Sequence, residues 1–317
     1  MSTSRSVVVL GGSGFIGSAV VSAAVAAGFG VTALARSSAS AEVVAGLGAV
    51  PLRGDVSAPG AWMASCAGAD ALIDLTQPEL PSRLTTRSIG RMAEQRLAAT
   101  RSMLTELGRI PADARPLWLS VNGTDDLLPD ESGQLSSRSA LRSTPQGFAH
   151  IGLPVRAAIQ ASGMQACYVY FGQMVYGPGK AYAGFVVDGV RTGKAKIIGS
   201  GANHLPLTHV DDAAASIVHL LTLDRAAVLD RTVVAVPATP ATQRELFART
   251  ADALGRPVPG RVPTIVAALV AGGVNADIMT LDARCNPDLL TTTGFTFRHE
   301  TLATGVTASL AAMPTTT

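Results

Sequence analysis

A doubly wound parallel α/β sheet with a smaller, mostly helical C-terminal lobe is the architecture this sequence predicts. Three observations predict it. Val7-Val8-Val9-Leu10 runs straight into Gly11-Gly12-Ser13-Gly14-Phe15-Ile16-Gly17, an apolar strand feeding a glycine turn and then a helix. Apolar strand-like runs then alternate with helical stretches through the first half, the pattern of a parallel sheet covered on both faces. After Gly179 the alternation stops and helices dominate.

The expected strands are Val7–Leu10, Val31–Ala35, Val50–Leu52, Ala71–Leu75, Leu117–Val121 and Cys167–Phe171. Helices are expected over 15–27, 40–47, 59–66, 83–108 and 148–162. The stretch 122–146, rich in Ser, Asp, Gly and Pro, reads as a loop beside the site. Beyond Gly179 come a helix at 183–192, an extended piece at 196–199 and a polar turn at Ser200–His204. A helix at 213–222, a returning strand Thr232–Val236 and helices near 242–254, 263–272 and 299–312 follow. These divide the chain into a dinucleotide-binding domain (1–178, with a return segment about 206–237) and a substrate-binding lobe (179–205 and 238–317). Substrates of open α/β sheets bind at the carboxyl ends of the strands, the edge such a lobe would cap.

Composition narrows the function. With 317 residues, 47% hydrophobic and 15% charged, the chain is long enough for a large buried core and too apolar for disorder. A net charge of +2 offers no nucleic-acid surface. Cys66, Cys167 and Cys285 form no C-x-x-C pair and no disulfide framework, which fits a reducing, cytoplasmic setting, and no metal is expected. The uncharged run from Ser6 to Ala35 imitates a membrane segment, but its glycines break it into strand, turn and helix. Ile265–Val274 is too short to span a bilayer and reads as a core helix.

The spacing Gly12-x-Gly14-x-x-Gly17 has a mechanism: one glycine makes the turn, one admits the pyrophosphate and one lets helix and strand pack closely. The helix N-terminus adds unpaired N–H groups for the phosphates. Arg36, where an NAD site places a carboxylate for the ribose 2′-hydroxyl, suits the 2′-phosphate of NADP(H) instead. Asp55, in Gly54-Asp55-Val56, is a candidate acceptor for the adenine amino group or a turn-forming Asp.

Together with Val175-Tyr176-Gly177-Pro178-Gly179 and His209-Val210-Asp211-Asp212, these motifs resemble the extended or atypical branch of the short-chain dehydrogenase/reductase superfamily over residues 6–237. The resemblance implies a Rossmann-type fold, Asp55 and Val56 at the adenine, Leu75 and Thr76 at the nicotinamide ribose, and the strand-end stretch with Phe171 and Gln173 near the nicotinamide. It also implies a Tyr-x-x-x-Lys pair, and here the chain departs from the pattern. Counting back from Ala161-Ser162-Gly163 puts the pair at Phe148 and Gly152, or at Ala149 and Leu153 after a one-residue shift. The string Tyr176-Gly-Pro-Gly-Lys180 crosses a turn in which helical i, i+4 geometry is impossible. Asp211 or Asp212 is expected to cap the helix that follows.

The remaining catalytic candidates are Ser120, Asn122 and His150, with His204 and Thr76 behind them. Reducing a ketone creates alkoxide character that must receive a proton or be held by donors. A substrate with a phenol beside its ketone, as in an angucyclinone-type aromatic polyketide, supplies that proton itself. The expectation is therefore an NADPH-dependent ketoreductase of antibiotic biosynthesis, acting on such a small molecule as monomer or homodimer, away from membranes and nucleic acid. Tyr168, Tyr170, Phe171 and Tyr176 are expected to line its pocket or fill core. The competing readings are a non-catalytic NADP(H) sensor or scaffold, and a divergent nucleotide-sugar epimerase or dehydratase.

Overall fold

A computed structural model describes residues 5–81 and 83–314. Its centre is a parallel sheet of β1 (Ser6–Leu10), β2 (Gly30–Ala35), β3 (Val50–Arg53), β4 (Ala71–Asp74), β5 (Leu117–Gly123), β7 (Ala166–Phe171) and β11 (Thr232–Val234). Their spatial order is β11-β7-β5-β4-β1-β2-β3. The order reverses between β1 and β4, so the carboxyl ends of these two strands open the crevice where such sheets bind ligands.

Strand alternation builds two apolar layers, one per face. Val7 and Val9 pack with Val20, Val21 and Ala24 of α1 (Phe15–Ala26), and with Ala213 and Ile217 of α6 (Val210–Thr222). Val8 and Leu10 pack on the other face with Leu72, Trp118 and Tyr168. There they meet Met103 and Leu107 of α3 (Thr86–Gly108) and Val155 and Ile159 of α4 (Ala149–Ala161). Because both faces are covered, β4 and β7 are buried at every position and carry no polar alternation. Between β2 and β3 lies α2 (Ser38–Gly46), begun by the reciprocal Ser37/Ser40 capping box.

Three short parallel pairs extend the frame: β6 (Gln134–Leu135) with β13 (Arg284–Cys285), β8 (Met174–Tyr176) with β10 (Leu207–His209), and β9 (Ile197–Ile198) with β12 (Arg261–Val262). Helices α5 (Asp188–Arg191), α7 (Arg225–Val228), α8 (Gln243–Ala253), α9 (Thr264–Ala271), α10 (Gly273–Thr280), α11 (Asp288–Thr292) and α12 (Leu302–Ala311) complete the chain. A third apolar cluster joins Tyr176, Tyr182, Val186, Leu246, Phe247 and Val306.

Three local expectations are corrected. The helix expected at 59–66 is a 3₁₀ segment, Ala61–Cys66, and the one at 183–192 opens as a π-helix, Tyr182–Val187. The apolar run Ile265–Val274 is not a core helix. It breaks at Gly272, whose φ is 95°, and α9 leaves Ile265, Leu269 and Val270 exposed at 72%, 68% and 76%. An apolar run without polar residues has no periodicity to say which side is covered. No helix among the described residues is long and apolar enough to cross a membrane.

Candidate functional site

The glycine turn between β1 and α1 divides its labour by position. Gly11 takes φ 78°, and a side chain on Gly17 would overlap the Gly11 carbonyl oxygen, so helix and strand meet backbone to backbone. Gly12 lies against Ala33 and Val21, which would have to give by a few tenths of an ångström to admit a methyl group. Gly14 is the N-cap of α1 and offers no side chain to its free N–H groups. A Cβ there would find only the Gly11 oxygen, at 3.2 Å, within 4 Å. Ser13 and Gly14 are exposed, so the space before the helix terminus fits a pyrophosphate. Phe15 packs against the Gly177–Gly179 turn, and Ile16 against the sheet-face cluster.

Arg36 is exposed immediately after β2, followed by Ser37 at the N-cap of α2. Asp55 Oδ1 accepts from Ser57 N at 2.8 Å and Ser57 Oγ at 2.7 Å. These bonds, with the nearby Arg36 charge, hold its carboxyl below the ordinary range. Asp55 thus forms its own turn, while Val56 packs on the core beside it.

At the end of β4 the structure shows a buried ion pair. Asp74 Oδ2 meets Arg96 Nη2 of α3 at 2.5 Å, and Arg96 Nη1 donates to Thr100 Oγ1 at 3.2 Å. Asp74 Oδ1 accepts from Thr76 N and Oγ1, at 3.2 and 2.6 Å, which fixes Leu75-Thr76 at the crevice between β1 and β4. Neither Asp74 nor Arg96 was among the residues singled out from sequence. The available signal was an Asp inside a strand otherwise apolar, since a buried charge requires a partner.

Beside it, Asp74 pairs in register with Ser120 of β5. Ser120 is buried and accepts from Asn122 Nδ2 at 3.3 Å. Opposite, α4 begins without a side-chain cap of its own. The backbone N–H of Phe148 is instead taken by Asp125 Oδ2. The Phe148 ring packs with Leu84, Ile89, Met92 and Ile278, and a side chain at Gly152 would overlap both carboxyl oxygens of Asp126. The two positions where the pair is expected thus carry an apolar ring and a glycine closed by a carboxyl group. With a one-residue shift, Ala149 is buried and Leu153 is half-buried.

Asp125 and Asp126 also lie outside the sequence candidates. Both are buried, and three of their four carboxyl oxygens have no hydrogen-bond partner. Burial pushes Asp125 up to about 6, against the pull of the Phe148 N–H. Burial, then the neighbouring Asp125, drives Asp126 well above the carboxylate range, with Arg156 opposing. Of the histidines proposed, His150 is half-buried at the second position of α4. His204 is tied to Asp282 through Nδ1 at 2.9 Å and its backbone N at 2.7 Å, a link between chain segments.

The end of β7 presents backbone more than side chains. Tyr168, Tyr170, Phe171 and Tyr176 are all buried. Arg156 donates to Tyr170 Oη at 2.7 Å and lies 4.1 Å over the Tyr168 ring, so both tyrosines belong to the interior. Phe171 joins the sheet-face core, leaving only its backbone to face a cofactor. Gly172 N donates to Thr208 Oγ1, and the half-buried Gln173 follows with an unpartnered Oε1. Tyr176 stacks edge-on with His209 beneath Gly305 of α12, whereas Lys180 is exposed with φ 52°.

The expected cap at His209–Asp212 is corrected as well. His209 itself is the N-cap of α6, its Nδ1 accepting from Asp211 N at 3.2 Å. Asp212 turns inward and accepts from Arg298 N and His299 N at 2.7 and 2.9 Å, holding the segment before α12. A carboxylate already engaged by two distant N–H groups is not available to cap its own helix.

The sequence profile of the NAD dependent epimerase/dehydratase family matches residues 7–235. A comparison with curated proteins finds no match. Among solved structures, the human epimerase family protein SDR39U1 (isoform 2) with NADPH is 22% identical, with TM-score 0.78, covering 98% of this chain and 100% of its own. The UDP-glucuronic acid 4-epimerase of Bacillus cereus, in complex with UDP-glucuronic acid and NAD, is 13% identical with TM-score 0.78, covering 97% and 98%. A nucleoside-diphosphate-sugar epimerase of Pseudomonas aeruginosa is 16% identical with TM-score 0.76, covering 98% and 97%. At these identities the solved structures speak for the shared fold. With the family profile spanning both the glycine turn and the returning strand β11, the chain belongs to the NAD-dependent epimerase/dehydratase family and carries that family's NAD(P)(H) site.

Proposed function

We propose that the protein is an NADPH-dependent ketoreductase whose substrate, an aromatic polyketide of the angucyclinone type, carries a phenol beside the reacting ketone. The observation that carries this reading is the start of α4, where Phe148 and Gly152 stand and Asp126 closes the space behind Gly152. When bound, NADPH supplies the hydride. Arg36 meets the 2′-phosphate, the terminus of α1 the pyrophosphate, and Thr76, held by Asp74, the nicotinamide ribose. Asn122 and Ser120 orient the ketone oxygen, and the neighbouring phenol passes its proton to that oxygen, leaving a phenolate. No side chain then has to serve as the acid.

Single-turnover NADPH oxidation tests the reading, using the free phenol and its methyl ether after binding of each is verified. The ether is expected to bind without reacting; equal rates would reject substrate assistance. Replacing Ser120, Asn122 or His150 singly should slow the free phenol by no more than about a hundred-fold, below the loss of an obligatory acid. A dead His150→Ala variant that still binds both ligands would make His150 the donor. The sugar-epimerase neighbours favour a second reading, which binding of a UDP-sugar to the NAD-loaded protein would support.

A further inference from the structure

Beyond Arg36, a second arginine stands at the carboxyl edge of the sheet. Arg53 ends β3 and is the register partner of Ala35, the residue before Arg36. Neighbouring strands lie about 4.8 Å apart, so the two arginines leave the sheet from adjoining strand ends. Register also fixes the face. Ala35 belongs to the apolar cluster that contains Val44 of α2, whereas the preceding pair, Leu34 and Leu52, packs on the opposite face with Trp62. Arg53 therefore shares with Ala35 the side of the sheet that α2 covers, and Ser37 begins that helix two residues beyond Ala35. We infer that Arg53 is a second contact for the 2′-phosphate of NADPH, gripping together with Arg36 the group that separates NADPH from NADH. The inference rests on the NADPH reading above and adds a residue to it.

What marks the position is positive charge without a counter-charge. Arg36 and Arg53 are both exposed, and among the described residues neither guanidinium takes part in a hydrogen bond or ion pair. The first turn of α2 contains no acidic residue. Its capping box engages Ser37 N and Ser40 N, which leaves the N–H groups of the exposed Ser38 and Ala39 without partners. Cations beside a helix N-terminus are unfavourable until an anion joins them. Asp55 is not that anion for Arg53: its carboxylate accepts from Ser57, and the arginine charge acting on it is that of Arg36. A phosphate dianion has acceptor oxygens for two guanidinium groups at once, whereas a ribose 2′-hydroxyl carries no charge to hold them. The strand end that carries Arg53 is itself held in place. Gly54 N donates to Ala35 O at 3.3 Å, and a side chain on Gly54 would overlap Trp62 and Leu34.

Calorimetric titration of the full chain with NADPH, NADH and the fragments 2′,5′-ADP and 5′-AMP tests the assignment without depending on turnover. Arg53 is exposed at the last residue of an edge strand, so truncating it leaves the fold intact. Arg53→Ala is expected to weaken NADPH and 2′,5′-ADP about five- to fifty-fold and to leave NADH and 5′-AMP unchanged. Arg53→Lys, which keeps the charge but not the planar fork, should recover part of the loss. Combining Arg36→Ala with Arg53→Ala should bring NADPH down to the affinity of NADH. Undiminished NADPH affinity in Arg53→Ala, or an equal loss for NADPH and NADH, overturns the inference while an NADPH-selective loss in Arg36→Ala keeps the reading it rests on. Equal binding of both cofactors by the unmodified protein would overturn that reading and the inference with it.

Discussion

Two glycines of one turn separate folding from binding at single-residue scale. Gly17 touches backbone, so Gly17→Ala forces the Gly11 carbonyl away and should destabilise the turn itself. Gly14 has an ordinary φ of −78° and an added Cβ would meet only the Gly11 carbonyl oxygen, a contact relieved by a shift of a few tenths of an ångström, so Gly14→Val should leave a folded protein that no longer binds cofactor. Circular dichroism with calorimetric titration distinguishes them; normal NADPH binding by folded Gly14→Val would refute the loop assignment. Arg36→Ala should cost about 1.5–3 kcal/mol, ten- to a hundred-fold in NADPH affinity, and leave NADH binding unchanged. Equal affinity of the unmodified protein for both cofactors would remove the case for a 2′-phosphate contact.

The element on which the proposed chemistry rests is α4, and its anchoring makes stability depend on pH. Asp126 keeps its proton in the folded chain well above the ordinary range, whereas the unfolded chain releases it near pH 4. The folded state therefore binds more protons, and its stability falls as pH rises from about 4 towards the folded pKa. Asp125 acts in the same direction between about 4 and about 6. Asp126→Asn removes the first contribution, so its stability relative to wild type should improve from pH 5 to pH 8. The gain approaches about 1.4 kcal/mol per pH unit while the folded carboxyl stays protonated. Melting curves at pH 5, 6.5 and 8 check it; a constant difference would mean that Asp126 ionises freely. Sequence made the element legible but not its anchoring. The run at 148–162 carries helix periodicity, whereas Asp125 and Asp126 sit in a stretch whose polarity reads as loop. Their burial arises from the approach of Gly147 and Gly152, a contact set by tertiary packing.

For the whole molecule, the parallel sheet was readable because strands covered on both faces become unbroken apolar runs, such as Ala166–Phe171. The covering of the C-terminal helices was not, because α9 is apolar all round and its exposed Val270 looks in sequence like its core neighbours. The same packing buries Cys66, Cys167 and Cys285, and burial pushes each thiol up to about 12. Thiolate is the reactive form, and against an ordinary cysteine near 8.5 such groups react more slowly by a factor on the order of a thousand. The native protein should thus take up no Ellman's reagent until it unfolds, while Val270→Cys takes up one equivalent at once. Wild type is its own unreactive background for site-specific labelling, and a single fluorophore at Val270 would turn any displacement of α9 into an optical signal.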